Sequence, residues 1–324
     1  SRNLGKDHVI ALMAPNMPAY AVVFHGVAWA GGTITTMNPA YTEHEVHHQL
    51  IDSKAEILIT IPAFLETAKA AIEGTGVQDI FVIGKADGAA SIDSLMGPKI
   101  ESQVPVDLDN HIVVLPYSSG TTGLPKGVML SHRNLVVNLD QIIACADVRE
   151  GDVAPAFLPF FHIYGMMVML NCALATGGSI VTLPRFDLEL FLRIAQDYKA
   201  RSLWVVPPVA IALAKHPIID QFDLSGLDFV GCAAAPLGSE LSDAVAARLG
   251  CKVLQGYGMT ELSPVSHVSR PSSARSGSGG QAVGSTECRI VDTETGESLG
   301  TGQDGELWIR GPQVMKGYLN NPDE

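Results

Sequence analysis

YSSGTTGLPKGV, at residues 117–128, follows a short apolar run, IVVL at 112–115, and breaks it with six small polar residues before PKG. A strand that runs into such a loop is the sequence form of a phosphate cradle. Glycines let backbone N–H groups turn onto an anion, and the hydroxyls of Ser118, Ser119, Thr121 and Thr122 add donors around Gly120 and Gly123. Lys126 supplies a mobile point charge. A Walker A loop carries GK followed by Ser or Thr, whereas Lys126 is followed by Gly127 and Val128, so this is a nucleotide loop of another kind. A solvated surface turn is the plainer reading, but a turn does not require six consecutive small polar residues ending in PKG.

Outward from the loop, strand and helix patterns alternate. Strands are expected at 9–14 (VIALMA), 33–37, 57–60 and 80–83, with helices at 18–30 and 43–53 between them. Beyond the loop come a helix at 134–146, a strand at 179–183, a helix at 188–198, strands at 202–206 and 227–232, a helix at 240–249 and a strand at 252–254. This alternation predicts an α/β fold with largely parallel sheets and helices on both faces. Residues 270–280 are rich in Ser and Gly and suit an exposed loop, and 288–292 and 306–310 read as short antiparallel strands around the ETGESLG and TGQDG turns. Three parts are expected, at 1–145, 146–270 and 271–324.

Composition narrows the class. The 324 residues, 47% of them hydrophobic, are ample for a large core. No apolar run approaches the ~18–20 residues that span a bilayer, and the N-terminus has no signal core, so no transmembrane or targeting segment is expected. Cys145, Cys172, Cys232, Cys251 and Cys288 are odd in number and scattered, which predicts reduced thiols and a cytoplasmic setting. A net charge of −13 disfavours nucleic acid as a partner, so any affinity for a nucleotide has to come from local geometry. Nothing in the sequence sets an oligomeric state.

One motif competes. Residues 44–48 spell HEVHH, a literal HExxH whose histidines at i and i+4 share a helical face and suit zinc. Thr42 and Glu45 also have the spacing of a capping box, which accounts for Glu45 without a metal.

The segments SSGTTGLPKG, PFFHIY (159–164), QGYGMTE (255–261) and GELWIRGPQVMKGY (305–318) together resemble the adenylate-forming superfamily of acyl-CoA synthetases, peptide-synthetase adenylation domains and beetle luciferases. AAPLG and MKGYLN add a likeness to 4-coumarate:CoA ligases. The resemblance implies a five-layered αβαβα arrangement of two stacked, mostly parallel sheets plus part of a small antiparallel β-barrel. On that pattern the phosphate loop falls in 1–145, an acyl and adenine pocket in 146–270 and the partial barrel in 271–324. It implies ATP, Mg2+ and CoA as cofactors, a small carboxylic acid as substrate, and an AMP-forming acid–thiol ligase.

By the same resemblance, Ser118 to Gly123 and Lys126 hold the triphosphate, and Glu261 with Thr121 holds the metal. Thr260 lies near the α-phosphate, and Ala234, Gln255, Gly256 and Tyr257 line the nucleotide. His162 touches the carboxylate and the adenylate, making Lys126, His162, Thr260 and Glu261 the implied catalytic group. Tyr164, Met167, Val168, Gly231, Ala233, Ala234, Val265 and Val268 face the acyl chain, and Arg185 contacts CoA. Plant 4-coumarate:CoA ligases carry Asn at the position of Met167 and Lys-Ser-Gly-Ala at 231–234. Gly231 in place of Lys is therefore expected to enlarge one end of the pocket, and Met167 to remove a polar partner for a phenolic hydroxyl. An arylpropenoate is the first expectation for the acid and a medium- or long-chain fatty acid the second. The family continues beyond the pattern at 318–324 with a ribose-binding aspartate and a mobile C-terminal domain. This chain is thus expected to be a large N-terminal portion that binds adenylate with little turnover by itself; a luciferase-like oxygenation is a further reading.

Overall fold

Val9–Met13 (β1) is a run of five apolar residues, four of them buried, at the middle of an eight-stranded sheet. A computed structural model describes residues 5–6, 8–98, 101–118 and 125–323. After β1 come α1 (Pro18–Trp29), β2 (Thr33–Met37), α2 (Glu43–Ser53), β3 (Ile57–Thr60), α3 (Leu65–Ala71), β4 (Asp79–Val82), β5 (Ala90–Ser91) and β6 (Ile112–Ser118). The strands lie in the order β5-β4-β3-β1-β2-β6, all neighbours parallel. Parallel pairing needs both faces covered, which is why β1 (VIALM) and β3 (ILIT) are apolar runs and why β2 (TITTM) is buried at every position despite its threonines. β7 (Lys126–Gly127) and β8 (Leu130–Ser131) fold back antiparallel on β6, so the loop expected to cradle phosphate starts and ends on one ladder, with Ser118 opposite Lys126.

Among the described residues capping boxes set two helix starts. Thr42 and Glu45 form the expected box on α2: the Thr42 N–H and hydroxyl both donate to Glu45 Oε2, and the hydroxyl oxygen accepts from the Glu45 amide. In the same helix His47 Nδ1 lies 2.9 Å from the Ala71 carbonyl. Helix α4 (His132–Ala146) begins before the expected residue 134, because Ser131 is its N-cap and Asn134 closes the box by accepting from the Ser131 amide.

The second layer comprises β9 (Val153–Ala156), a π-helical stretch Gly165–Asn171 leading into α5 (Cys172–Thr176), β10 (Ser179–Thr182), α6 (Leu188–Asp197), β11 (Ser202–Val205), α7 (Pro207–Lys215), β12 (Phe229–Cys232), α8 (Ser239–Leu249), β13 (Lys252–Gly258), β14 (Val265–Val268) and β15 (Gln281–Ala282). The expected single second sheet is divided. β9 and β10 form a parallel pair, and β11-β12-β13-β14-β15 form a five-stranded sheet that is parallel at its first two pairings and antiparallel at its last two. Arg201 bridges the seam with charge in place of a backbone ladder, donating to Asp152 of the pair's edge and to Asp228 beside β12. β13 runs past the expected residue 254 to Gly258 because its QGYG end pairs with β14. β16 (Glu287–Val291) and β17 (Glu306–Arg310) make the expected antiparallel pair. One core cluster joins the first sheet to α4 and the π-helical stretch, and a second packs α6, α7 and α8 onto β11 and β12. Among the described residues no helix is long and apolar enough to cross a membrane.

Candidate active site

A cavity of about 660 Å³ opens beside the carboxyl ends of β6, β12 and β13, the edge at which open α/β sheets bind ligands. Ser118, His162, Tyr164, Val168, Gly231, Ala233, Ala234, Gln255, Gly256, Tyr257, Thr260, Glu261, Val265 and Val268, all singled out on the sequence, line it together. Ser119, Gly120, Thr121, Thr122 and Gly123 lie outside the described residues. Three expected positions stand elsewhere: Lys126 on β7 behind the loop, Met167 in the core, and Arg185 exposed in the turn after β10.

His162 is held by the first sheet's edge. Buried Asn16 donates to the carbonyls of Ala156 and Leu158 and accepts from the Phe160 amide, and Thr36 donates to the Phe161 carbonyl at 2.8 Å. These bonds satisfy backbone groups at the end of β9 and in the irregular segment just beyond it. His162 Nδ1 accepts from the Tyr164 amide at 3.2 Å, which leaves the proton of the neutral ring on Nε2. His162 is exposed and lines the cavity, and desolvation by the surrounding protein holds its pKa below the ordinary imidazole value. His25, His132 and His267 are lowered in the same way, His132 also by the neighbouring His111. Below pH ~6.5 the unfolded chain therefore binds more protons at these four rings than the native one, so stability falls with pH from there down to the native pKa values. The urea midpoint is expected to be lower at pH 5.5 than at pH 7.5; an unchanged midpoint would mean the rings titrate normally.

At the polar end, Gln255 Oε1 accepts from the Leu237 amide at 3.0 Å, while its Nε2 is buried without a partner. An orphaned donor of this kind costs about 1–3 kcal/mol until something accepts from it. Tyr257 is 45% exposed and presents its ring edge-on to His267, leaving ring surface for a flat ligand. A Cβ at Gly258 would meet the Pro264 carbonyl oxygen at 2.3 Å, so only glycine allows the turn that carries Thr260 and Glu261 to fold back on β14. Ala234 holds φ +76°, a strained conformation for a residue with a Cβ, of the kind that concentrates at binding sites. Glu261 is 8% exposed, and one of its oxygens accepts from the Tyr318 hydroxyl at 2.8 Å. Among the described residues no group of three His, Cys, Asp or Glu side chains gathers around a point. A single carboxylate suits Mg2+, which keeps waters and shares substrate phosphate oxygens, better than it suits zinc.

The apolar end departs from expectation. The space above Gly231 is filled: a Cβ there would lie 2.5 Å from Trp204 Cε3, and Trp204 is its register partner on β11. Glycine at 231 therefore makes room for an indole and does not enlarge the cavity. Trp204, edge-on to Phe229, and Val168 also line a second void of about 20 Å³ behind the first, so together they partition the two. Met167 is 1% exposed and does not line the cavity; Val168 beside it does. Both sit in the π-helical stretch, where neighbouring side chains point to different sides.

Residues 1–319 match the family described as AMP-binding enzyme. The chain belongs to the AMP-binding enzyme family. It is 40% identical over 327 residues to 4-coumarate–CoA ligase 5 of Oryza sativa subsp. japonica, covering 97% of this chain and 60% of that one. Among solved structures it superposes with a TM-score of 0.91, at 28% identity, on a long-chain-fatty-acid-CoA ligase from Archaeoglobus fulgidus, covering 98% of this chain and 65% of that one. ATP-bound MatB from Rhodopseudomonas palustris gives a TM-score of 0.89 at 27% identity, with 99% and 63% covered. The chain thus spans about 60% of the length of the curated relative it matches.

Several residues that build the site carried no sequence signal. Asn16 and Thr36 act across more than a hundred residues of chain. Asn138 clasps Val265 through both its backbone donor and its acceptor, fixing β14 against α4. Tyr117, at the end of β6, donates to Asp52 at 2.6 Å, and Asp52 also accepts from Asn320. Trp204 was signalled only as part of a strand.

Proposed function

We propose that this AMP-binding enzyme chain carries the part of an AMP-forming acid–CoA ligase that converts a carboxylic acid to its acyl adenylate. The observation behind the reading is that one cavity is lined both by apolar Ile142, Ala146, Val168, Trp204, Leu254 and Val268 and by polar Ser118, His162, Gln255, Thr260 and Glu261. It has walls for an acyl group and donors for a nucleotide. In this reading a carboxylate oxygen attacks the α-phosphorus of ATP; the new O–P bond forms as the bond to the pyrophosphate oxygen breaks, and pyrophosphate leaves with that electron pair. CoA's thiol, losing its proton, then attacks the acyl carbon and AMP departs.

Every reactant in the first step is an anion and no proton moves, so the protein's part is to orient and to screen charge. Lys126 and the loop hydroxyls hold the triphosphate, while Thr260 stands near the α-phosphate. Glu261, with Thr121, holds Mg2+, which when bound neutralises phosphate charge. Ala234, Gln255, Gly256 and Tyr257 hold the nucleoside. The Nε2–H of neutral His162 donates to the carboxylate and then to the adenylate, and Arg185 meets CoA from the surface.

For the acid, an arylpropenoate is favoured: the indole of Trp204 offers a flat wall to a flat ring, and the curated relative at 40% identity is named a 4-coumarate–CoA ligase. A fatty acid is the second reading, supported by the void behind Trp204 and by the solved fatty-acid-CoA ligase. Apolar walls leave a phenolic hydroxyl unpaired, so cinnamate should serve at least as well as 4-coumarate, and octanoate worst. Pyrophosphate exchange by the complete protein with the three acids measures this. Trp204→Ala should join the two voids and raise octanoate use relative to cinnamate by about tenfold. Exclusive use of octanoate by the unaltered protein would remove the arylpropenoate reading.

A further inference from the structure

We propose that Tyr318 is a positioning residue that sets the carboxylate of Glu261 for the metal and the ammonium of Lys126 for the phosphates. The inference rests on the nucleotide reading above. Its hydroxyl donates to Glu261 Oε1 at 2.8 Å, and the Lys126 ammonium stands 5.4 Å from the centroid of its ring, so one side chain touches both charged groups. The ring is not there by chance of a mobile tail. The segment around it is laced to both neighbours: Met315 N–H donates to the Glu261 carbonyl, Lys316 N–H to Met129, Met129 N–H to Gly317 and Leu319 N–H to Gly127, at 2.8 to 3.0 Å, and Tyr318 bridges Val128. Tyr318 is thereby fixed to the strand that carries Lys126 and to the turn that carries Glu261, and it lines the cavity.

The physical effect is preorganisation. A glutamate has three side-chain torsions, and a carboxylate that must offer an oxygen to Mg2+ does so at less entropic loss when its other oxygen is already held. Among the described residues no other hydrogen bond reaches this carboxylate, so the Tyr318 hydroxyl is what orients it. The face of the ring attracts the ammonium without neutralising it, which keeps the charge available to a phosphate.

Two variants separate the two contacts. Tyr318→Phe removes the hydroxyl and keeps the ring; Tyr318→Leu removes both. ATP binding to the full-length protein is measured by titration calorimetry with MgCl2 and again with EDTA, with the thermal midpoint as a fold control. Y318F should weaken binding of MgATP by about five- to tenfold and leave metal-free ATP binding unchanged, whereas Y318L should weaken both. A purely structural role would shift both affinities of Y318F equally or lower its midpoint. Equal shifts, no shift, or tighter MgATP binding in Y318F would each overturn the proposal. Failure of the unaltered protein to bind ATP with or without magnesium would overturn the nucleotide reading itself, a result distinct from those three.

Discussion

Glu261→Gln is expected to lower acid-dependent pyrophosphate exchange by about 10²–10³-fold while leaving the thermal midpoint in place. The side chain is nearly buried, and its contact with Tyr318 is an acceptor contact that an amide oxygen reproduces. Shape and hydrogen bonding therefore survive the change, and what disappears is one negative charge. Glu261 is the sole acidic side chain among the described residues that line the cavity, which is why the loss should be large and why excess MgCl2 should not restore the rate. A rate within about threefold of the unaltered protein, well short of that loss, would take the metal away from Glu261.

Lys126→Ala should raise the KM for ATP by about 10–100-fold with little change in the KM for the acid. Lys126 is delivered by the two-residue strand β7, paired to Ser118 across the mouth of the loop, so its charge arrives at the site through the backbone and is not shared with the acyl walls. Lys126→Arg should recover only part of the loss, because a planar fork does not replace a compact ammonium against a phosphate that must move. An unchanged ATP dependence in K126A would leave the loop without a point charge and reduce it to its hydroxyls and amides.

Most of the strands and helices were legible on the sequence because they rest on local signals, whereas the residues now found around the cavity were named by the family resemblance. The apolar run before SSGTTG gave the strand, glycines and hydroxyls gave the loop, and Thr42 with Glu45 gave a helix start that the structure forms. What failed depended on register between distant segments. Gly231 read as space because nothing in the string says that Trp204, on another strand, lies directly opposite it. Met167 was placed on the cavity wall by the resemblance alone, and no signal in the string says that it turns into the core while Val168 beside it lines the cavity. Division of the second sheet was hidden for a like reason: β10 looks like any other α/β strand, its partner β9 was not expected on the sequence, and the charged seam at Arg201 stands where the ladder does not continue. Tyr318 sits inside a recognised segment, yet its link to Glu261 joins residues 57 apart in sequence.

The claim on which the account stands is that the acid attacks the α-phosphorus of ATP in this cavity. The most direct measurement follows oxygen: the complete protein is given ATP, Mg2+, CoA and cinnamate labelled with 18O in its carboxylate, and the released nucleotide and phosphates are weighed by mass spectrometry. One 18O atom per turnover should appear in AMP, with pyrophosphate unlabelled. Label in inorganic phosphate, with ADP as the nucleotide product, would place the attack at the γ-phosphorus and contradict the account.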